Sequence, residues 1–209
     1  MTIDEGLLAE SVRSGGAFLR LYRWDPPTLS IGRNQPAVFA GVPIVRRPTG
    51  GQAVWHEHEV TYAVAAPIAL FGSLRKAYGE IHSRLAAALR SLGVDAVLAP
   101  GHPAVRPSDR PTSCFASAVG GEILVHGHKL VGSAQVRMCD ALLQHGSILL
   151  DGSQHHVSGA SGETTLTAVL GRTVTFEEVT AAIVNNWGPI RPSGRQAVRP
   201  SDIASAAPR

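Results

Sequence analysis

The chain contains two cysteines, Cys114 and Cys139, which stand in different settings. Cys114 follows residues 100–111, a proline-rich stretch that predicts a loop. A loop cysteine acts as a nucleophile when a nearby cation lowers its pKa, although free cysteines are more often small buried apolar residues. Cys139 falls at a predicted hairpin turn, where nothing indicates chemistry. Cys114 is therefore the candidate nucleophile, with a structural cysteine as the alternative.

Lysine is rare in this chain, because all basic residues except Lys76 and Lys129 are arginine. Lys129 begins a predicted strand, and the small residues that follow it favour a side chain reaching into a confined site. The compact ammonium of a lysine suits such a site better than a planar guanidinium. The alternative is a solvated lysine at a hairpin turn. His126 and His128 flank Gly127 nearby, but no further ligands stand at fitting spacing, so no metal is expected.

A glycine pair, Gly50-Gly51, lies between two predicted strands and follows Arg46 and Arg47. Paired glycines let the backbone approach a ligand closely and present N–H groups to an oxygen atom. The arginines could add positive charge, and His56 could add a proton-transfer group. The alternative is a plain glycine turn with exposed arginines.

The composition is typical of an ordinary globular fold, with 209 residues, 44% hydrophobic content and a net charge of +3. No apolar run is long enough to span a membrane, and the N-terminus does not resemble a signal peptide. No basic run interleaved with aromatics indicates nucleic acid. Two cysteines are too few for a disulfide framework. A cytoplasmic protein is therefore expected, with no nucleic acid or membrane as partner.

Periodicity predicts helices over residues 2–14, 74–92 and 176–187, with Thr2 and Thr175 as caps and Gly93 just after the second helix. Strands are predicted in the ranges 18–24, 29–31, 43–47, 53–56, 61–65, 94–98, 122–125, 129–137 and 142–150. Strands outnumber helices and form hairpins, which favours an α+β fold with a mixed, largely antiparallel β-sheet and flanking helices. Residues 1–188 are expected to form the catalytic domain, and residues 189–209 a tail rich in Pro, Ser and Arg.

Five segments in order resemble the biotin/lipoate protein ligase superfamily, and within it the octanoyltransferases of the LipM type. They are residues 21–32 (LYRWDPPTLSIG), 46–56 (RRPTGGQAVWH), Cys114-Phe115, 127–135 (GHKLVGSAQ) and 144–149 (QHGSIL). Relatives usually carry a strand ahead of the first helix, so the natural chain is expected to begin earlier than Met1.

The resemblance implies an acyl tunnel between the glycine loop and the lysine strand, in a fold like that of the superfamily's catalytic domains. It implies that Cys114 becomes acylated and that Lys129 assists at the carbonyl. The residues that it implies for substrate binding are Arg46, Arg47, Thr49, Gly50, Gly51, His56, Gly132, Ser133 and Ala134.

The implied reaction is octanoyl transfer from octanoyl-acyl carrier protein to a lysine of a lipoyl domain or of the glycine cleavage H protein, without a cofactor. Three alternatives stay open: an amidotransferase moving octanoyl or lipoyl groups between carrier proteins, an ATP-dependent lipoate ligase, and a non-catalytic acyl-binding protein.

Overall fold

The computed structural model of the protein describes residues 1–37, 41–100, 115, 120–154, 156–157 and 162–189. The helices of this part are α1 (Thr2–Ser14), α2 (Leu74–Ser91), α3 (Leu166–Leu170) and α4 (Phe176–Trp187), with a 3₁₀ turn at Ile68–Leu70. The strands are β1 (Phe18–Tyr22), β2 (Thr28–Ile31), β3 (Ile44–Arg46), β4 (Val54–His56), β5 (Glu59–Pro67), β6 (Val97–Leu98), β7 (Ile123–Val125), β8 (His128–Met138) and β9 (Ala141–Leu149). None of the described helices is long and apolar enough to cross a membrane.

Six strands form the large sheet, in the order β1-β5-β9-β8-β7-β6. Every neighbouring pair in it is antiparallel. Because successive side chains of a strand point to opposite faces, β9 takes part in two apolar clusters, one on each face of the sheet. Leu142 and Ile148 join the main core with α2 and α4, whereas Ala141 and Leu143 pack against α1.

Three strands form the small sheet, in the order β3-β2-β4. β2 pairs with β3 in parallel and with β4 in antiparallel orientation. Leu29, Ile31, Ala53 and Trp55 form a separate apolar cluster here. The expected α+β class with mixed, largely antiparallel pairing is confirmed, and the only parallel pair among the named strands belongs to this small sheet.

The helix predictions hold best where a local signal marks the ends. Ser73 caps α2, and Gly93, just beyond its C-terminus, has the positive φ of 90° expected after a helix. The Thr175 hydroxyl accepts from the Glu178 amide at the start of α4, as predicted.

Two local predictions are wrong, and one short helix was missed. Thr2 lies inside α1 instead of capping it, because Met1 is the N-cap residue and no side chain bonds the first turn. The strand predicted over residues 94–98 is confined to Val97–Leu98. The five-residue helix α3 was not predicted, since one and a half turns are too short to show a hydrophobic period.

Candidate active site

A narrow pocket lies between the large sheet and the small sheet. The floor is formed mainly by β8 and β9, through Gly132, Ser133, Ala134, His145, Gly146 and Ser147. The opposite wall includes Trp24, Arg47, Val54 and His56. Small side chains on β8 leave the space into which a ligand fits.

The glycine loop between β3 and β4 is held in shape by the buried Arg47. Its guanidinium donates to the Ser30 hydroxyl over 2.6 Å, to the Ser30 carbonyl over 3.0 Å and to the Gln52 carbonyl over 2.7 Å. It also donates to the Gly50 carbonyl over 3.3 Å. An arginine that spans these acceptors fixes the loop.

Two positions at this loop favour glycine, Gly32 because of close approach and Gly51 because of its backbone conformation. A Cβ added at Gly32 would lie 2.1 Å from the Gly51 carbonyl oxygen, which no packing tolerates. Gly51 has a φ of 88°, and a Cβ there would lie 3.4 Å from the Ala134 Cβ. The glycine loop therefore packs directly on β8, as expected for a loop that closes a ligand pocket.

Arg46 lies outside the pocket and supports a turn. Its Nη1 donates to the carbonyls of Gly32 and Gln35, over 3.0 Å and 2.6 Å. The same side chain borders a separate open groove together with Arg33, Arg47 and Arg137. Of the two adjacent arginines that the sequence grouped as substrate-binding, Arg47 lines both the pocket and the groove, whereas Arg46 lines only the groove.

His56 lies in a buried chain of hydrogen bonds. Its Nε2 is 2.5 Å from the Ser30 hydroxyl, and its Nδ1 is 2.7 Å from Glu59 Oε1. Arg47 also donates to the Ser30 hydroxyl, so the guanidinium, the serine, the imidazole and the Glu59 carboxyl group form one connected chain. Trp24 stacks on the imidazole with ring centroids 4.6 Å apart.

A second histidine chain joins the glycine loop to α1. Thr49 Oγ1 is 2.7 Å from His145 Nε2, and His145 Nδ1 is 3.5 Å from Asp4 Oδ2. Asp4, fully buried on α1, also accepts from Arg20 Nη1 over 2.6 Å and from the Tyr22 hydroxyl over 2.9 Å.

The charges in this second chain follow from burial and contacts. Burial lowers the pKa of His145 below the ordinary histidine value, and the positive charge of Arg47 acts in the same direction. Burial by itself raises the pKa of Asp4, but its contacts with His145 and Arg20 outweigh that effect and lower the pKa. At neutral pH the pair is a neutral imidazole facing an ionised carboxylate.

Lys129 is buried and forms an ion pair with Glu122. The distance from Lys129 Nζ to Glu122 Oε1 is 2.7 Å, and the two side chains are 3% and 2% exposed. The Tyr78 hydroxyl also donates to Glu122, over 3.4 Å. The ammonium therefore has a carboxylate beside it, which the sequence did not indicate.

Phe115 marks the position of the predicted nucleophilic segment. It is 1% exposed and packs against Val54 of the pocket wall and Leu149 of β9. The centre of its ring is 5.7 Å from Lys129 Nζ. Cys114, the residue before it, lies outside the described residues. Cys139 is exposed, in the turn between β8 and β9, where the sequence predicted it.

Beneath the pocket, Ser133 belongs to a buried polar cluster on the α2 side. Its hydroxyl is 2.6 Å from the Tyr62 hydroxyl and 2.8 Å from His82 Nε2. The Gln144 side chain donates to Tyr62 over 3.1 Å. Burial lowers the pKa of His82 to about 3, and the charge of Lys129 acts in the same direction.

The structure brings most of the predicted binding residues together. Arg47, His56, Gly132, Ser133 and Ala134 line the pocket. Thr49, Gly50 and Gly51 shape the loop beside it, Lys129 lies next to Phe115, and Arg46 lies apart.

Sequence reasoning left four buried charged or titratable residues of this region out of the candidate site: Asp4, Glu59, His82 and Glu122. His145 was also left out, although the segment QHGSIL contains it. Membership of that segment was the one signal in the sequence that could have identified His145 as a site residue. Within the described ranges, no group of three or more His, Cys, Asp or Glu side chains is arranged to hold a metal ion.

Solved structures with the same architecture are catalytic domains of lipoate ligases. A putative lipoate protein ligase from Thermoplasma acidophilum with bound lipoic acid superposes with a TM-score of 0.67 and 21% identity, over 90% of this chain and 79% of that one. A lipoate-protein ligase A bound with ATP gives a TM-score of 0.68 and 21% identity, over 90% and 79%. Identities this low show the fold alone, and the fold is that of a lipoate-ligase catalytic domain.

The profile of the lipoyl protein ligase A/B catalytic domain matches residues 1–188. The chain belongs to this family, which confirms the resemblance found in the sequence. Proteins named Octanoyltransferase LipM are 42% identical over 163 residues in Carboxydothermus hydrogenoformans and 44% identical over 167 in Kyrpidia tusciae. Each alignment covers 72% of this chain, and the chain spans about 60% of the length of these relatives.

Proposed function

We propose that this protein transfers an octanoyl group from octanoyl-acyl carrier protein to a lysine of a lipoyl domain or of the glycine cleavage H protein, through a thioester on Cys114. Relatives named Octanoyltransferase LipM support the reaction class. The reaction would take place in the cytoplasm, with residues 1–188 as the catalytic domain and residues 189–209 as a tail.

The observation that carries the proposal is the position of Phe115. This side chain lies between the pocket wall at Val54 and the Lys129 ammonium. Phe115 thus contacts the pocket wall and lies near a buried cation, and the proposed nucleophile Cys114 is the residue that precedes it in the sequence. A cation beside a thiol favours the thiolate, which is the reactive form.

The two acyl transfers need no ATP, because the donor is already an activated thioester. The Cys114 thiolate adds to the carbonyl carbon of the donor thioester, and the carbonyl π electrons move to oxygen. Collapse restores the carbonyl, breaks the bond to the donor sulfur and releases the donor thiol, which takes up the proton given up by Cys114. The acceptor amine then displaces Cys114 in the same way, losing a proton and forming an amide.

The pocket supplies binding energy for the acyl tail. Burying about six methylenes at about 0.8 kcal/mol each contributes roughly 5 kcal/mol. Lys129 would stabilise charge on the carbonyl oxygen, while Arg47, Thr49 and the Gly50-Gly51 pair would keep the glycine loop closed over the chain. The acyl group would occupy the pocket lined by His56, Gly132, Ser133 and Ala134.

Intact-mass measurement tests the proposal. Incubation with octanoyl-acyl carrier protein should add one octanoyl group to the enzyme, and later addition of an apo lipoyl domain should move it to the acceptor. Cys114→Ala should give no adduct, whereas Cys139→Ser, the matched control, should give the wild-type adduct. Absence of an adduct on the wild-type protein would contradict the cysteine mechanism.

The same assay separates the alternatives. Transfer from the carrier protein without ATP excludes an ATP-dependent ligase. Replacing the donor with an octanoylated H protein tests for an amidotransferase, which would accept that donor at a comparable rate. A non-catalytic binder would gain no covalent octanoyl from either donor.

A further inference from the structure

Ser147 lies in the middle of β9, with its side chain toward the pocket. The residue is 1% exposed, and its hydroxyl has no hydrogen-bond partner within the described part of the chain. Other buried hydroxyls around the pocket differ, since Ser30, Thr49 and Thr61 each bond a neighbouring side chain. Ser147 therefore presents an unused donor to the cavity.

The strands on either side of Ser147 do not provide the missing partner. Thr61, its neighbour on β5, is engaged by the Trp24 indole and by Glu59. Gly132, its neighbour on β8, has no side chain and leaves a hollow next to the hydroxyl. A buried hydroxyl without a partner costs about 1–3 kcal/mol, and a ligand acceptor placed in that hollow would remove the cost.

The chemistry of the ligand decides which atom that acceptor is. An octanoyl group has a single hydrogen-bonding atom, its carbonyl oxygen, and the rest of the chain is hydrocarbon. Leu149, two residues further along β9, faces the same side as Ser147 and packs against Phe115. The carbonyl end of the acyl chain would thus lie toward Phe115, and the hydrocarbon would extend away from it.

We propose that the Ser147 hydroxyl donates a hydrogen bond to the acyl carbonyl oxygen and stabilises the charge that this oxygen gains when a thiolate or an amine adds to the carbonyl carbon. This inference rests on the proposed octanoyl transfer. It makes Ser147 a catalytic residue in addition to Cys114 and Lys129. Because the donor is already oriented and shielded from water, it stabilises the developing charge without reorganisation.

Ser147→Ala tests the assignment, since it removes only the hydroxyl. Octanoyl transfer should fall about 100-fold, as when one donor is removed from an oxyanion-binding site. Thermal stability should stay the same or rise, because the deleted group has no partner in the protein. Ser147→Thr keeps the hydroxyl and should retain much of the activity.

Ser11 provides a matched control. It is 2% exposed, its hydroxyl likewise has no partner among the described residues, and it lies on α1 outside the pocket. Ser11→Ala should leave transfer unchanged. A Ser147→Ala rate within threefold of wild type would overturn the inference, and a faster or tighter-binding variant would show that Ser147 borders the hydrocarbon tail instead.

A binding measurement separates this inference from the reaction itself. 2-Nonanone has the carbonyl and the seven-carbon tail of an octanoyl group but no leaving group, so calorimetry reports its affinity without turnover. Ser147→Ala should bind it about fivefold more weakly, the effect of one neutral hydrogen bond. If the wild-type protein transfers no octanoyl group but Ser147→Ala still weakens ketone binding, the proposed reaction is refuted and the carbonyl site is retained. If Ser147→Ala binds the ketone equally well or more tightly, the carbonyl site is refuted.

Discussion

The buried pair of Lys129 and Glu122 allows a quantitative prediction. Their charged atoms are 2.7 Å apart, and both side chains are almost fully buried. Truncating either residue breaks this buried ion pair and leaves the other charge buried, which costs about 3–5 kcal/mol. For a domain of this size, about 1 kcal/mol shifts the melting temperature by roughly 2–4 °C, so Glu122→Ala should melt about 10 °C below wild type.

A double-mutant cycle isolates the pair. Glu122→Leu combined with Lys129→Met replaces both charges with apolar groups of similar length, and its loss of stability should be smaller than the sum of the two single losses by about 2 kcal/mol or more. Calorimetry or urea unfolding of the four proteins gives the coupling energy. The double variant should nevertheless be inactive, and Lys129→Arg should be nearly as inactive, because a planar guanidinium does not replace a compact ammonium.

An exposed ion pair provides the control for this cycle. Arg172 and Glu178 are 2.5 Å apart on the surface, and solvent screening should leave little coupling between them. If the losses for Lys129 and Glu122 were also additive, the two side chains would not be paired in the folded protein, and the argument from their burial would be wrong.

Three further predictions follow from the pocket and its surroundings. Hexanoyl thioester should be transferred roughly tenfold more slowly than octanoyl thioester in competition assays, since each lost methylene forfeits about 0.8 kcal/mol; equal rates from six to fourteen carbons would argue against a closed pocket. Iodoacetamide should label Cys114 faster than the exposed Cys139 at pH 7 if the Lys129 charge favours the thiolate, and peptide mass mapping would show the reverse order if it does not. The pKa of His82 is lowered to about 3, so between about pH 3 and 6.5 this residue binds a proton only in the unfolded state. Its contribution to the free energy of unfolding is therefore complete above pH 6.5 and is lost as the pH falls. His82→Gln should therefore show a pH dependence of unfolding free energy shallower by up to about 1.4 kcal/mol per pH unit in that window, and an unchanged slope in urea titrations would contradict it.

The sequence by itself determined the features that depend on neighbouring residues. Helices α2 and α4 were predictable because hydrophobic periodicity, a serine or threonine cap and a following glycine are local signals. The order of five short segments was sufficient to indicate the family. The Thr2 cap expected for α1 was wrong, and α3 was missed because a helix of five residues is too short to show a hydrophobic period.

Only the tertiary structure decided how the side chains of the candidate site are paired. Asp4 and His145 are distant in the chain, and α1 must pack across β9 before they meet. Arg46 and Arg47 are adjacent in sequence, but alternation along the chain directs Arg47 into the glycine loop and Arg46 outward.

The same reason applies to Lys129 and Ser147. The sequence marked Lys129 as unusual, but its partner Glu122 depends on the pairing of β7 with β8, including an irregularity in their register. Nothing in the local sequence distinguishes Ser147 from other serines. Its significance depends on the sheet, which places it opposite Gly132 and beneath the small sheet. A hydrogen-bond partner, or the lack of one, is a property of burial and long-range packing, which local residue patterns do not encode.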